Sequence, residues 1–189
     1  MIKKISELVR ESCGLVYMAE GKCSDISVSS VEYDSRSVTE GSLFVAVEGF
    51  ESDGHTFIKA AVEKGCRAVL VSGGRVRDFM EIAGSGVALL VSNNTRKALS
   101  FLSASFYGNP SASLHITGVT GTNGKTSITY IIESIYSSLG IRCGVIGTVN
   151  YRWAGKVMPA PNTTPESKEI HELLRRMLDE GVTHVVMEV

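Results

Sequence analysis

The segment Thr117-Gly-Val-Thr-Gly-Thr-Asn-Gly-Lys-Thr126 is the most informative part of the second half of the chain. It follows a short apolar run and precedes a segment with helical periodicity, which is the context that a phosphate-binding loop requires. Glycines let the backbone curl so that successive N–H groups point inward, and the start of the following helix adds a partial positive charge. We therefore predict a strand, a phosphate-binding loop and a helix in this order.

The residues that would bind the phosphates and the metal ion of a nucleotide lie at the end of this loop. Lys125 would neutralise the β- and γ-phosphates, and the Thr126 hydroxyl would ligate the Mg²⁺ that bridges them. The general pattern has glycine where this chain has Val119, so a tight turn with a chance lysine is the alternative. A lysine at a helix start is unfavourable against the helix dipole unless an anion is bound, which favours phosphate binding. The predicted ATP contacts are Gly121, Thr122, Asn123, Gly124, Lys125, Thr126 and Ser127.

A second candidate for the same chemistry is Glu188, which lies near the end of the apolar run Val185–Val189. In proteins with a phosphate-binding loop, a neighbouring strand presents an acid that holds or orders the Mg²⁺. The alternative is a glutamate at a strand end that reaches solvent, and spacing alone does not decide between the two. Lys125 and Glu188 are thus the catalytic candidates, and Thr126 and Glu188 are the metal candidates.

Short apolar runs alternate with helical periodicities along the whole chain. The alternation predicts an α/β fold made of βαβ units around a parallel sheet. A hairpin is expected to turn at Ala154-Gly155, and a helix to begin at Thr164-Pro165 with Thr164 as its N-cap. The predicted strands are Leu43–Val47, Ala68–Val71, Val87–Val91, Leu114–Thr120, Arg142–Thr148 and Thr183–Val189. The apolar faces of the predicted helices are Phe57, Ile58, Ala61 and Val62; Ala98, Leu99, Leu102 and Phe106; Ile128, Ile131, Ile132, Ile135 and Leu139; and Ile170, Leu173, Leu174, Met177 and Leu178.

A domain boundary is expected near Ser92, where the first group of strands finishes and a long helix begins. This gives a small α/β domain over residues 1–92. Residues 93–189 then form the first part of a parallel-sheet domain with the phosphate-binding loop.

Composition excludes several classes of protein. The 189 residues carry 19 basic and 20 acidic side chains, so bulk electrostatic binding of nucleic acid is not expected. No apolar run approaches the ~20 residues that cross a bilayer, and the N-terminus lacks the apolar core of a secretory signal. The four cysteines show no metal-ligand spacing. We expect a cytoplasmic, monomeric protein with reduced thiols and no membrane insertion.

Several motifs in a fixed order resemble the Mur ligase family. Gly121–Thr126, Asn162–Ser167 and His184–Val189 are similar to its central domain, most closely in the type that extends UDP-N-acetylmuramoyl-L-alanyl-D-glutamate by a third amino acid. That family's shorter loop, G-T-x-G-K-T, accounts for Val119. In the first half, Tyr33-Asp-Ser-Arg36, Gly41-Ser-Leu-Phe-Val-Ala-Val47, Gly49 and Asp53-Gly54 resemble its UDP-binding domain.

The resemblance implies an ATP-dependent ligase of peptidoglycan synthesis. ATP would convert the terminal carboxylate of the substrate into an acyl phosphate, from which an amino group displaces phosphate to form an amide. The amino acid would be meso-diaminopimelate, the commoner choice in the family, or else L-lysine. Ser35, Phe50, Glu51 and Ser52 would contact the UDP end, and Asn162, Thr163 and Thr164 the muramoyl-peptide.

Each of these residues has a plainer alternative. Ser35 could be a turn residue between Asp34 and Arg36, Phe50 could be part of the core, and Thr164 could be only a helix cap.

Family members also carry a Ser-Ser-His run after the last strand, a carbamylated lysine and a third domain that selects the amino acid. We therefore expect this chain to be an N-terminal portion that is inactive alone. The alternatives are a module that only binds nucleotides and a ligase of the folylpolyglutamate synthase type, which shares the Gly-Thr-Asn-Gly-Lys start.

Overall fold

The computed structural model of the chain describes residues 1–19, 26–49, 52–83 and 85–189. It contains two compact units, Met1–Phe106 and Tyr107–Val189. Within the described ranges, no helix has both the length and the apolar character needed to span a membrane.

The first unit is built around a five-stranded sheet. Its order is β2-β7-β6-β5-β4, with β4 to β7 parallel and β2 antiparallel to β7, while β1 and β3 form a separate antiparallel pair. The strands are β1 (Lys3–Lys4), β2 (Tyr17–Met18), β3 (Ser27–Val28), β4 (Ser30–Glu32), β5 (Ser42–Val45), β6 (Ala68–Ser72) and β7 (Ala88–Ser92). The helices are α1 (Ile5–Glu11), α2 (Ile58–Glu63), α3 (Met80–Ala83) and α4 (Thr95–Phe106), with 3₁₀ turns at Gly54–Phe57 and Gly73–Phe79.

Helix α4 belongs to the first unit. Its apolar face, predicted from periodicity, is buried and packs against α1, β4, β6 and β7. The compact units divide after Phe106, whereas the sequence predicts a boundary near Ser92, in front of this helix. A second difference concerns Phe57, which was expected on a buried helical face. It lies in the 3₁₀ turn before α2 and is 42% exposed.

The second unit has a mixed sheet. Its order is β11-β10-β9-β12-β8, in which β8, β12 and β9 run parallel and the hairpin β10–β11 is antiparallel. The elements are β8 (His115–Val119), α5 (Lys125–Ser138), β9 (Cys143–Ile146), β10 (Asn150–Trp153), β11 (Lys156–Pro159), α6 (Ser167–Asp179) and β12 (His184–Glu188), preceded by a 3₁₀ turn at Pro110–Ser113. The hairpin turns where predicted, since Ala154 (φ 46°) and Gly155 (φ 78°) are both left-handed.

Helix α6 buries the face that its sequence predicts, with Leu173, Leu174 and Met177 at its centre. Its start differs from the prediction, however. The helix begins at Ser167 and Glu166 caps it by accepting the Ser167 N–H, so Thr164 is not the N-cap. The hydroxyl of Thr164 is used elsewhere, as described below.

Helix α5 forms over the predicted segment, but most of its apolar stripe is not buried in this chain. Ile128, Ile131, Ile135 and Leu139 are between 45% and 67% exposed. The periodicity therefore predicted the helix correctly but not a buried environment for this face.

Candidate functional site

Three parallel strands of the second unit end at the same edge of the sheet. Strand β8 ends at Val119, β9 at Ile146 and β12 at Glu188, with Glu188 in register with Val119. The glycine-rich segment leaves this edge and leads directly into α5. Because loops and helix N-termini at the carboxyl edge of a parallel sheet are where ligands bind in such folds, this edge is the candidate site.

The loop has the geometry of an anion-binding turn. Gly121 (φ 144°) and Gly124 (φ 79°) adopt conformations that favour glycine, and Gly124 is the N-cap of α5. A glycine cap has no side chain to occupy the first N–H groups of the helix, which leaves them to an anion. The Lys125 ammonium lies over the loop and donates to the Gly121 carbonyl at 2.7 Å.

The carboxylate of Glu188 is the centre of the site. It is 1% exposed and does not reach solvent, so the alternative of an exposed glutamate at a strand end is wrong. Its Oε2 accepts from the Thr126 hydroxyl at 3.1 Å and from the Thr148 hydroxyl at 2.9 Å. Its Oε1 accepts from the Thr148 backbone N–H at 3.2 Å. The sheet thus brings Glu188 against the last residue of the predicted phosphate loop.

These residues fit a divalent cation that is shared with a bound nucleotide. The donors named above are two hydroxyls and one amide, all neutral, and burying a carboxylate without a counter-charge is costly. Within the described ranges, no group of three or more His, Cys, Asp or Glu side chains could hold a metal by itself. One carboxylate and one hydroxyl, completed by phosphate oxygens and water, is the kind of site that Mg²⁺ takes.

Gly147 makes room for this carboxylate. A Cβ built on Gly147 would overlap Glu188 Oε1, so a larger residue at this point would displace the carboxylate. Thr148 follows it, two residues after the end of β9. The predicted strand Arg142–Thr148 includes Thr148 as its last residue, and the sequence does not indicate its place in the site. A hydroxyl directly after a strand, at the same edge as the phosphate loop, is the signal that could have found it.

The segment Asn162–Thr164 lies at the same site. The Thr163 and Thr148 hydroxyl oxygens are 3.2 Å apart, and the Thr164 hydroxyl donates to the Glu188 carbonyl at 3.1 Å. The Tyr151 hydroxyl holds the segment from the other side by donating to the Asn162 carbonyl at 2.7 Å. The structure therefore brings together the predicted phosphate loop, the predicted metal carboxylate and the predicted substrate segment.

The residues predicted to contact the UDP end lie in the first unit. Ser35 is half-buried in a turn closed by the Ser37 N–H and the Asp34 carbonyl, and its own carbonyl accepts from Lys64 Nζ at 2.7 Å. The hydrogen bond from the Arg36 guanidinium lowers the pKa of the Asp34 carboxyl. Ser52 is exposed and its carbonyl accepts the Gly49 N–H at 3.0 Å. Phe50 and Glu51 lie outside the described residues.

A hydrogen-bonded cluster that the sequence analysis did not identify follows Ser52 directly. Asp53 accepts from the His55 backbone N–H at 2.9 Å, contacts His55 Nδ1 at 2.6 Å and pairs with the Arg75 guanidinium at 2.9 Å. The Ser72 N–H donates to His55 Nε2 at 3.0 Å, so the buried ring carries its proton on Nδ1. Burial raises the pKa of Asp53, but the bonds from His55 and Arg75 outweigh it and the pKa is lowered. The cluster fixes the chain after Ser52 to the end of β6.

Two family models cover most of the chain. The Mur ligase middle domain matches residues 119–189, and the Mur ligase family catalytic domain matches residues 27–107. The chain belongs to the Mur ligase family. The first match contains the phosphate loop, the Asn162–Thr164 segment and Glu188, and the second contains Ser35 and the Asp53 cluster.

Curated relatives resemble nearly the whole chain. A UDP-N-acetylmuramoyl-L-alanyl-D-glutamate–2,6-diaminopimelate ligase of Clostridium tetani is 40% identical over 166 residues, which are 87% of this chain and 33% of that protein. The protein of the same name from Geobacter sulfurreducens is 43% identical over 162 residues, covering 86% of this chain and 31% of the relative. The chain thus spans about a third of the length of these relatives.

Solved structures share the fold. A structure of a UDP-N-acetylmuramoyl-L-alanyl-D-glutamate–2,6-diaminopimelate ligase superposes with a TM-score of 0.75 at 23% identity, covering all of this chain and 36% of that one. A MurF ligase from Thermotoga maritima, solved in complex with ADP, gives a TM-score of 0.52 at 25% identity, with 85% of this chain and 32% of that one covered. The predicted α/β architecture is confirmed.

Proposed function

We propose that this chain is the nucleotide- and substrate-binding part of an ATP-dependent amide ligase of peptidoglycan synthesis. The complete enzyme adds a third amino acid to UDP-N-acetylmuramoyl-L-alanyl-D-glutamate. The observation that carries the proposal is the buried Glu188 carboxylate, which contacts Thr126 of the phosphate loop and, through Thr148, the Asn162–Thr164 segment. A site for a metal-bound nucleotide and a segment suited to an acidic substrate thus share one edge of one sheet.

The residues of the second unit divide the work of phosphoryl transfer between them. Lys125 binds the β- and γ-phosphates, and the backbone N–H groups from Gly121 to Ser127 surround them. Thr126 and Glu188 hold the Mg²⁺, which neutralises phosphate charge when bound. Asn162, Thr163 and Thr164 orient the peptide carboxylate towards the γ-phosphate. Such transfer depends mainly on positioning and charge neutralisation, which this arrangement provides.

The first unit would bind the UDP end of the substrate. Ser35 lies in a hydrogen-bonded turn, and Ser52 is followed directly by the hydrogen-bonded Asp53 cluster. Residues held by such hydrogen bonds bind a ligand at a lower entropic cost than mobile ones. Phe50 and Glu51 remain candidates for the same contact.

The relatives named above support meso-diaminopimelate as the third amino acid, with L-lysine as the alternative. Both relatives carry 2,6-diaminopimelate in their names and are about 40% identical to this chain. We also propose that the chain works as a monomer in the cytoplasm.

Nucleotide binding by this chain tests the proposal directly. Titration with the magnesium complex of a non-hydrolysable ATP analogue should give a calorimetric binding signal. Lys125→Ala should weaken it about 10- to 100-fold, because a hydrogen bond to a charged group contributes about 1.5–3 kcal/mol. Lys156→Ala, which removes an exposed lysine paired with Glu180, is the matched control and should bind normally. Unchanged binding by Lys125→Ala would overturn the phosphate-loop assignment.

Substrate class and turnover need separate measurements. In thermal denaturation, UDP-N-acetylmuramoyl-L-alanyl-D-glutamate should raise the midpoint and a folate should not; the reverse result would favour the folylpolyglutamate synthase alternative. Phosphate release from ATP, measured with the muramoyl-dipeptide and meso-diaminopimelate present, should stay at the blank value. Release above the blank that depends on both the muramoyl-dipeptide and the amino acid would show that this chain completes the reaction alone.

A further inference from the structure

Thr148 is the residue that connects the metal side of the site with its substrate side. Its hydroxyl oxygen is 2.9 Å from Glu188 Oε2 and 3.2 Å from Thr163 Oγ1, and it is oriented to donate to either. A hydroxyl has one proton to donate, so it can serve only one of these acceptors at a time. Thr148 therefore has two alternative hydrogen-bonded states within the described geometry.

We propose that the Thr148 hydroxyl couples the two halves of the site by donating to Glu188 in the ligand-free protein and to Thr163 once Glu188 holds a cation. This inference rests on the proposed function, because it needs a metal-bound nucleotide on one side and an acidic substrate on the other.

The number of hydrogen bonds that Glu188 Oε2 accepts indicates why the Thr148 hydroxyl would change its partner. Glu188 Oε2 already accepts from both Thr126 and Thr148, and a carboxylate oxygen offers about two lone-pair sites. Coordination of a cation there displaces one of the two donors. Thr126 is held in the first turn of α5, beside the proposed phosphate site, so the Thr148 hydroxyl is the donor that turns away.

The backbone of Thr148 keeps the carboxylate in place while its side chain changes partner. Its N–H donates to Glu188 Oε1 at 3.2 Å, on the oxygen that the hydroxyl does not use. The Gly147 position, where a Cβ would overlap this same Oε1, keeps the contact close. The change is therefore a rotation about one side-chain bond, without movement of the strand ends.

The change of partner at Thr148 would affect substrate binding through the hydroxyl of Thr163. When Thr163 Oγ1 accepts the Thr148 proton, its own O–H bond is directed away from Thr148 and polarised, so it donates more strongly to an acceptor such as a substrate carboxylate. Thr164 is anchored meanwhile to the Glu188 carbonyl at 3.1 Å, so the segment does not move as a whole. Metal-bound nucleotide should thus tighten the binding of the acidic substrate, and by linkage the reverse should hold to the same factor.

The test measures this coupling factor and not activity. The affinity of the chain for UDP-N-acetylmuramoyl-L-alanyl-D-glutamate is measured by calorimetry with and without a saturating magnesium complex of a non-hydrolysable ATP analogue. The wild-type ratio should be about fivefold or more, the lower end of usual allosteric couplings. Thr148→Val keeps the shape and the backbone N–H but has no proton to give, so its ratio should fall towards one.

Three further variants separate coupling from a structural effect. Thr148→Ser keeps the hydroxyl and should restore the ratio, and Thr183→Val, just before the start of β12, should leave it unchanged. Thr163→Val should lower the ratio as Thr148→Val does, and the double variant should be no lower, because both remove the same bond.

Each result bears on a different claim. A wild-type ratio of one, or an undiminished ratio in Thr148→Val, overturns the coupling while the proposed function stands. Absence of binding of both ligands to the wild type overturns the proposed function and the coupling with it. If Thr148→Val does not fold, the ratio in Thr163→Val decides in the same way.

Discussion

Two carboxylates, Asp53 in the first unit and Glu188 in the second, accept similar numbers of hydrogen bonds but differ in the charge of their donors. Asp53 is paired with the Arg75 guanidinium, and its side chain is 35% exposed. Glu188 is buried and accepts from the hydroxyl and amide groups of neutral residues. A carboxylate that already has its cation stabilises a loop, whereas one surrounded by neutral donors is suited to accept a cation. Counting hydrogen bonds alone would not distinguish these two roles.

The largest expected effect is at Glu188. Glu188→Gln keeps the size of the side chain but removes its charge, so affinity for the magnesium–nucleotide complex should fall about 10- to 100-fold. Calorimetry with and without Mg²⁺ checks this, since the loss should vanish when the metal is omitted. Glu180→Gln, which removes a charge from a surface pair with Lys156, is the control. Equal affinity in the Glu188 variant would contradict the assignment of the metal site.

Substitution in the Asp53 cluster should change the stability of the protein but not its affinity for the nucleotide. Asp53→Ala leaves the His55 backbone N–H, the His55 ring and Arg75 without their acceptor, which should lower the free energy of unfolding by about 1–3 kcal/mol. Hydrogen exchange at the Ser72 amide is the measurement, because this N–H depends on the orientation of His55.

Asp78→Ala removes the other partner of Arg75 and serves as the control, with a smaller change expected at Ser72. Full protection of the Ser72 amide in Asp53→Ala would show that the cluster does not fix the His55 ring.

The smallest expected effect is in the pH dependence of the first unit. The folded pKa of Asp53 lies below its unfolded value of about 3.9, so its contribution is present above that pH and is lost as the pH falls through the folded pKa. Ser72 protection in the wild type should therefore drop on acidification below about pH 4. Asp53→Asn does not titrate and should show a flatter profile; identical profiles would exclude Asp53 as the titrating group.

Helices α5 and α6 show how far the sequence could predict the fold. Both have an apolar stripe at helical spacing, and both form helices over the predicted segments. The stripe of α6 is buried around Leu174 and Met177, whereas Ile131 and Leu139 of α5 are 58% and 67% exposed. Periodicity reports which residues share a face, but what covers that face depends on contacts between distant segments.

The candidate site was predictable where a residue type is itself informative. The glycines and Lys125 of the phosphate loop rarely occur together for another reason. An acid at the end of a neighbouring strand makes Glu188 a candidate metal ligand. Thr148 and His55 could not be found in this way, because threonine after a strand and histidine near a helix are common. Their roles depend on partners 40 and 17 residues away in the chain.

The position of β12 in the sheet determines when the second unit can fold during synthesis. This strand is made after β8 and β9, yet it lies between them in the sheet. The native sheet therefore cannot form before β12 has been synthesised, and until then the inner edges of β8 and β9 lack their native partner. Pairings between such distant segments form slowly, and open strand edges favour aggregation in the meantime. The residue proposed to bind the metal arrives on this late strand, so the cation site can exist only once the sheet has closed.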